Sequence, residues 1–250
     1  PDLKPDPFAS PLVWQVQDRV LKSGETVDID FAALNFTDLV AFQHGLRFDP
    51  AVLKYAGASG IGTDVQLDES ANFGAYRADM GELRALWTES EGVTVPDMQP
   101  VHRLRFKVLR GGLKLGDVMS LDPEVLTSAA YTSDFARREV LLVFIDPEGI
   151  LSAGNTADPE SSGSAVLLQN RPNPFSNGTI IGFILPEACD AQLRVFDVSG
   201  RELWRSDGFY PAGYQEAVIR PDELNVSGLL YYELTTPFGT RTRKMMGVKR

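Results

Sequence analysis

The chain has 250 residues, of which 34 are acidic and 24 basic, and its formal net charge is −10 at pH 7. This charge argues against a nucleic-acid partner, because binding a phosphate backbone needs a basic surface. Apolar residues make up 43% of the sequence and charged residues 23%, which is typical of globular proteins and not of disordered ones.

The first part of the chain alternates apolar and polar residues. In 26–33 the odd positions are apolar and most of the even ones polar, a period of two that is typical of a half-buried strand. The same period recurs in 42–48 and 102–108, and further strands are predicted at 13–21, 83–88, 113–121 and 140–145. Short helical turns are expected only near 50–53 or 122–128. Many short strands separated by turn signals predict an antiparallel sandwich or jelly roll.

Charge and composition change near residue 165. Residues 1–165 hold 14 basic and 25 acidic side chains (14 − 25 = −11), whereas residues 166–250 hold 10 and 9 (10 − 9 = +1). Just before this step, 152–164 contains only small and polar residues, which is typical of a flexible linker. We therefore predict a first domain at 1–150, a linker at 151–165 and a second domain at 166–250.

The second domain also reads as strands. Seven are predicted, at 165–168, 179–185, 192–197, 202–205, 215–219, 229–235 and 241–248. This number of strands in about 85 residues predicts a small immunoglobulin-like β-sandwich.

The sequence offers little catalytic chemistry. A single cysteine excludes an internal disulfide and a cysteine-based zinc cluster, and the sequence contains no G-x-S-x-G, P-loop or H-E-x-x-H motif. Asp28 and Asp30 lack the glycine and distal glutamate of a calcium loop. His44 falls on the apolar face of its strand and is expected to be a core histidine satisfied by a hydrogen bond, while His102 is expected to be structural or exposed. We expect no enzyme activity, no cofactor and no metal.

One row of cations stands out in the acidic first domain. Arg103, Arg105 and Lys107 lie on one face of one predicted strand, where they would meet an acidic partner. The alternative is a solvated strand face or a sheet edge protected by charge.

The last 85 residues resemble the type A C-terminal sorting domain of the Bacteroidetes type IX secretion system. Six motifs occur in the family's order: LQNRPNPF (168–175), TIIGFILP (179–186), LRVFDVSGR (193–201), AGYQE (212–216), LNVSGLLYYEL (224–234) and TRKMMGVKR (242–250). Gly247 stands where the family usually has a bulky apolar residue, which predicts a weaker final strand.

The resemblance implies export through the periplasm to the cell surface or the extracellular space, with an outer-membrane translocon and its processing and attachment machinery as partners. The candidate translocon-recognition residues are Pro172, Asn173, Pro174, Phe175, Gly200, Arg241, Arg243, Lys244, Met245, Lys249 and Arg250. Because the chain begins at Pro1 without a signal peptide, we expect it to be a piece of a longer protein.

The first domain resembles, less strongly, a cohesin-like jelly roll. The matching residues are GETVDIDF (24–31), NF (35–36), AFQHGLRFDPAVLKY (41–55), 83–87 and 104–109, and His44 departs from the family's aromatic or apolar residue there. Cohesins are non-catalytic receptors for dockerin modules, and related jelly rolls bind carbohydrate, so the resemblance implies a dockerin-like protein or a surface glycan as partner. By the same analogy Gln43, Gly45 and Arg47 are outward-facing contact candidates, the alternative being a merely solvated strand face.

Two functions remain open from the sequence. In the first, the chain is a binding or adhesion module of a cell-surface protein, followed by its secretion signal. In the second, it is an accessory domain and sorting signal of a secreted hydrolase whose catalytic domain lies upstream.

Overall fold

The computed structural model describes residues 10–62, 64–145, 165–224 and 226–248. These residues divide into two compact units, the first containing 10–145 and the second 165–248. Residues 151–164 of the predicted linker lie outside the described residues, as do Lys249 and Arg250.

The first unit consists of eleven strands, one helical turn and two 3-10 turns. The strands are β1 (Leu12–Gln17), β2 (Thr26–Leu34), β3 (Leu39–Phe48), β4 (Leu53–Gly60), β5 (Phe73–Gly74), β6 (Glu82–Val93), β7 (Pro100–Val108), β8 (Met119–Leu121), β9 (Ala129–Thr132), β10 (Arg137–Arg138) and β11 (Val140–Ile145). The helix α1 spans Glu69–Asn72, and the 3-10 turns span Ala78–Met80 and Leu115–Asp117.

These strands form two sheets. The first sheet has the order β11-β1-β2-β7-β4, in which β1 and β11 are parallel. The second has the order β10-β9-β3-β6-β5, with β8 paired to β3. The inward side chains of both sheets form one core, whose largest fully buried members are aromatic: Trp14, Phe31, Phe36, Phe42, Trp87, Phe106 and Phe144.

The second unit is a seven-stranded sandwich. Its strands are β12 (Val166–Leu167), β13 (Thr179–Leu185), β14 (Cys189–Asp197), β15 (Glu202–Tyr210), β16 (Gly213–Ile219), β17 (Gly228–Thr236) and β18 (Gly239–Gly247). One sheet has the order β12-β13-β16 and the other the order β15-β14-β17-β18. Every residue of β13 is buried, so this strand lies at the centre of the unit.

The prediction of an all-β fold built from two β-sandwiches is confirmed. One predicted strand is wrong: 113–121 contains the 3-10 turn Leu115–Asp117 before the short β8. The backbone N–H of Gly116 donates to the buried carboxylate of Asp18 at 3.0 Å, which holds the chain in a bend at this point. Within the described residues, no helix is long and apolar enough to cross a membrane.

Both predicted helical turns are present as single turns. Each contains one i to i+4 hydrogen bond, accepted by the carbonyl groups of Asp49 and Asp122, and neither extends into a helix. The helix α1 forms instead where the Asp68 side chain caps its first turn, accepting from the N–H groups of Ser70 and Ala71. Strand β4 has no clear alternation because it is rich in glycine, alanine and serine.

Candidate functional site

On the outward side of the second sheet, Leu86 and Thr88 of β6 are exposed beside less exposed residues of β3 and β9. Register places Tyr131, Ala41 and Thr88 in one row across β9, β3 and β6. The next row contains Ala129, Gln43 and Leu86. These two rows form a flat surface that we call the β3–β6 face.

Leu86 is the most exposed apolar residue of this face. Its neighbours Ala85 and Trp87 are buried in the core, whereas the Leu86 side chain is 47% exposed. Next to the face, Tyr76 is 74% exposed, and the guanidinium of Arg84 lies 5.1 Å from the centre of its ring. Exposed apolar and aromatic side chains beside an arginine are typical of protein interfaces.

The predicted contact residue Gly45 is covered by another part of the chain. A Cβ atom at Gly45 would lie 2.4 Å from the backbone nitrogen of Leu126 and 2.9 Å from the carbonyl oxygen of Asp122. The segment 122–127 therefore lies directly over β3, and its close approach requires glycine at position 45. Gly45 is buried and offers no surface to a partner.

The other two predicted contact residues hold the same segment in place. The side-chain amide of Gln43 donates to the carbonyl oxygen of Thr127 at 2.8 Å. The Arg47 guanidinium donates to the Asp122 carboxylate and forms a second ion pair with Glu82 at 3.5 Å. The hydrogen bond to Asp122 raises the pKa of Arg47, and the same bond lowers the pKa of Asp122.

The structure therefore moves the candidate contact surface along the sheet, from Gly45 and Arg47 toward Leu86, Thr88 and Tyr131. The sequence analysis did not single out these residues, although one signal was present. Leu86 is an apolar residue at an outward position of a strand whose inward positions are Leu83, Ala85 and Trp87.

The cationic row of β7 is largely neutralised by the neighbouring strand. Arg103 binds Asp30 through Nε at 2.5 Å and Nη2 at 2.8 Å. Arg105 binds Asp28 through the same two nitrogens at 2.6 and 2.9 Å. These hydrogen bonds raise the pKa of both arginines, and the bond from Arg105 lowers the pKa of Asp28.

Lys107 differs from the two arginines. It lies opposite Thr26 on one side and Lys54 on the other, and it has no ion pair within the described residues. The row of three cations is therefore an ion-pair ladder followed by a single free lysine, so it is a weaker site for an acidic partner than the sequence suggested.

Both histidines are fully buried in the aromatic core of the first unit. His44 extends from β3 and His102 from β7, so they come from different sheets, and their ring centres lie 5.5 Å apart. Within the described residues, none of their four ring nitrogens has a hydrogen-bond partner. The expected hydrogen bond of His44 is thus missing, and His102 is buried.

Burial shapes the chemistry of this pair. It lowers the pKa of His44 to about 3, and burial together with the nearby His44 lowers the pKa of His102 well below its ordinary value. Both rings are therefore neutral at pH 7. Among the described residues, no group of three or more potential ligands that could hold a metal ion is present.

In the second unit, the first motif of the sorting-domain resemblance packs on the last. The Asn173 side chain accepts a hydrogen bond from the N–H of Met246 at 2.9 Å. Phe175 donates to Met246 and accepts from Val248 through its backbone, and its ring is buried. Pro172 and Pro174 both follow cis peptide bonds in this segment.

A buried polar network also holds the first motif, 168–175, in place. The Tyr232 hydroxyl donates to the carbonyl oxygen of Leu168 at 2.8 Å and accepts from the N–H of Asn170 at 3.0 Å. The Asn170 side chain in turn donates to Pro172 and Thr179, each at 3.0 Å. Burial raises the pKa of Tyr232 to about 12, so its hydroxyl remains protonated and able to donate.

The basic residues of β18 divide between its two faces. Lys244 is exposed on the outward face opposite Tyr231, while Arg243 lies opposite the buried Tyr232 and donates to the carbonyl oxygen of Leu167 at 2.6 Å. Arg241 lies on the same side as Arg243, opposite Leu234.

Two of the predicted recognition residues are buried in the folded unit. Met245 and Phe175 each have almost no exposed surface, so the structure gives them a packing role and no surface for direct contact. Packing also explains why a glycine occupies position 247. A Cβ there would lie 2.5 Å from the carbonyl oxygen of Val226 and 3.4 Å from the Phe175 ring, and this crowding accounts for the missing bulky side chain.

Gly200 lies in the turn between β14 and β15. Its φ of +82° falls in the left-handed region, which favours glycine. The Asp197 carboxylate accepts from the N–H groups of Ser199 and Arg201, which closes the turn. This position shapes the hairpin.

No protein-family model matches the chain. No curated protein matches it either. Three similar solved structures are cohesins. The sixth cohesin of scaffoldin B from Acetivibrio cellulolyticus, in complex with a Cel5 dockerin mutant, is 16% identical, with a TM-score of 0.42, and the match covers 53% of this chain and 94% of that one.

The second structure is the OlpA cohesin from Clostridium thermocellum, in complex with a dockerin. It is 13% identical, with a TM-score of 0.42, and the match covers 54% of this chain and all of that one. The third is a cohesin module of a family 33 glycoside hydrolase from Clostridium perfringens. It is 9% identical, with a TM-score of 0.38, and the match covers 53% of this chain and 98% of that one.

Proposed function

We propose that the first unit is a non-catalytic binding module of an exported protein and that it binds a dockerin-like protein through the β3–β6 face. The observation that carries the proposal is the exposed apolar side chain of Leu86 on this face, with Arg84 and the exposed Tyr76 beside it. In the cohesins that the sequence resembles, the sheet face that receives the partner includes the strand that matches β3, which supports this choice of surface.

The rigidity of the segment 122–127 supports this proposal. Four interactions hold it against the sheet: the Gln43 and Arg47 bonds, the bond from the N–H of Asp122 to Gly45, and a 2.9 Å bond from Arg84 to Val125. A fixed boundary on one side of the face lowers the entropy lost on binding.

Replacing Leu86 by arginine is expected to weaken partner binding at least about tenfold, because it puts a charge in place of the apolar side chain that the proposed interface would bury. The measurement is a pull-down of surface proteins with the 250-residue chain, followed by affinity measurement on the captured protein. Leu109→Arg is the matched control, since Leu109 is 46% exposed and lies outside the β3–β6 face. Equal affinities of the two variants would contradict the proposed surface.

We further propose that the second unit is a type IX sorting domain, recognised by the outer-membrane translocon, and that the chain reaches the cell surface or the extracellular space. The six ordered motifs support this proposal. Asn173 and Phe175 contact the final strand, so the first and last motifs pack together as one element. This packing gives a structural reason for the two motifs to occur together.

Fusing residues 166–250 and a signal peptide to a fluorescent reporter is expected to direct the reporter to the surface of a bacterium that has this system. Deleting 242–250 is expected to abolish export, because it removes most of β18 and the groups that Asn173 and Phe175 bind. Surface fluorescence measures the result, and a fusion with substituted Lys244 tests the exposed cation separately. Normal export of the truncated fusion would contradict the assignment of these terminal residues.

A further inference from the structure

A small cleft lies on the outward face of the first sheet, at the strands β4 and β7, away from the β3–β6 face. Its volume is roughly 160 Å³, close to the cavity of about 150 Å³ that holds a six-membered ring such as benzene. The cleft is lined by Ala56, Gly57, Ala58, Ser59, Glu69, Arg103 and Arg105.

One lining group is a carboxylate held in a fixed position. Oε1 of Glu69 accepts a hydrogen bond from the Tyr55 hydroxyl at 3.0 Å and another from the N–H of Ala58 at 3.2 Å. Its Oε2 has no hydrogen-bond partner among the described residues, and Glu69 forms no ion pair there. The cleft therefore contains a carboxylate in a fixed position, of which only one oxygen accepts hydrogen bonds from the described residues.

The other polar groups are guanidinium donors that are also fixed. Arg105 uses Nε and Nη2 on Asp28, whereas Arg103 uses Nε and Nη2 on Asp30 and Nη1 on Asp28 at 3.4 Å. The Nη1 of Arg105 is left without a partner in the described part of the chain. A guanidinium bound along one edge is rigid and still presents its remaining donors, which suits bidentate recognition.

Small residues on β4 keep this cleft open. Gly57 lies opposite Arg105, and Ser59 lies opposite Arg103. The φ of Gly57 is +149°, in a region that side chains rarely adopt, and a Cβ there would face the Glu69 carboxylate at 3.6 Å. Longer side chains at these two positions would occupy the space between the arginines and Glu69.

The mixture of charges restricts the ligand. Asp28 and Asp30 neutralise the two arginines, so a simple anion would be repelled by Glu69. A simple cation would use Glu69 alone and would leave the Nη1 donors of Arg105 unused. Hydroxyl groups both donate and accept, so neighbouring hydroxyls on one ring satisfy the guanidinium and the carboxylate together. We propose that this cleft binds one neutral sugar residue of a glycan, independently of the partner proposed for the β3–β6 face.

The test is a titration of the ¹⁵N-labelled 250-residue chain with free glucose, galactose, mannose and N-acetylglucosamine, followed by NMR. At least one sugar is expected to shift the amide signals of 56–59, 103 and 105, with a dissociation constant on the order of 1 mM. Arg105→Ala and Glu69→Gln are each expected to weaken this binding about tenfold, because each removes a hydrogen bond to a charged group.

Lys107→Ala is the matched control, because Lys107 lies on the same face of β7 but outside the cleft lining. The affinity of this variant for the sugar should be unchanged. Ser59→Val removes a hydroxyl and fills the cleft at an exposed strand position, so it tests the site if an arginine variant unfolds. Glucuronate separates sugar recognition from anion binding. Absence of shifts at the cleft, or a preference for glucuronate that Glu69→Gln strengthens, would overturn the proposal.

Discussion

Lowering the pH from about 8 to about 5 is expected to reduce the free energy of unfolding of the first unit by at least about 2 kcal/mol. The cause is the histidine pair, His44 and His102. Burial holds the pKa of both rings below the ordinary value of 6.5 in the folded unit, whereas the unfolded chain binds protons normally. The unfolded state therefore binds more protons below pH 6.5, and stability falls as the pH falls.

The surroundings of the two rings do not reduce the free-energy cost of protonating them. Trp14, Phe31 and Phe42 contact both histidines, and Phe73 contacts His102. No carboxylate bonds to either ring within the described residues. Protonating both rings would place two positive charges in the apolar core between the two sheets. The repulsion between these charges and the loss of their hydration would strongly favour separation of the sheets.

The measurement is urea unfolding at a series of pH values, followed by tryptophan fluorescence in a Trp204→Phe background that leaves only Trp14 and Trp87 as reporters. The double variant His44→Phe, His102→Phe is expected to remove the dependence between pH 6.5 and 5. In this background the second unit contains neither tryptophan nor histidine, so the fluorescence transition reports the first unit alone. A pH dependence that survives in the double variant would show that other groups cause it.

Replacing Tyr232 by alanine is expected to destabilise the second unit by about 3–5 kcal/mol, because the side chain is large and fully buried. Tyr232→Phe isolates the hydroxyl. Its loss leaves the Asn170 N–H and one acceptor position of Leu168 without their partner, at a cost of about 1–3 kcal/mol. Thermal and urea unfolding of the second unit measure both variants.

Tyr231 provides the matched control. It is the neighbouring tyrosine on the same strand, faces outward and is 39% exposed. Tyr231→Ala is expected to cost under about 1 kcal/mol, as surface substitutions usually do. Because Tyr232 anchors 168–170 and thereby the segment that packs on β18, Tyr232→Phe should also lower export of the reporter fusion. Full stability of Tyr232→Phe would show that the hydroxyl network contributes little.

Much of the fold could be predicted from local pattern. Thr26–Leu34, Val140–Ile145 and Thr179–Leu185 follow the predicted ranges closely, because side-chain period and turn residues are local properties of the chain. The predictions failed where a distant group decides the backbone. The bend at Gly116 depends on Asp18, nearly a hundred positions earlier, and β4 is a strand because β7 pairs with it.

The sequence by itself determined the all-β class, the strand period and the identity of the outward residues on β3 and β7. Only the tertiary structure decided which of those residues are free. Gly45 lies under 122–127, Arg103 and Arg105 are bound by Asp30 and Asp28, and Lys107 has no ion pair within the described residues. The physical reason is that alternation fixes the face of a sheet to which a side chain points, whereas packing between distant segments determines what covers that face.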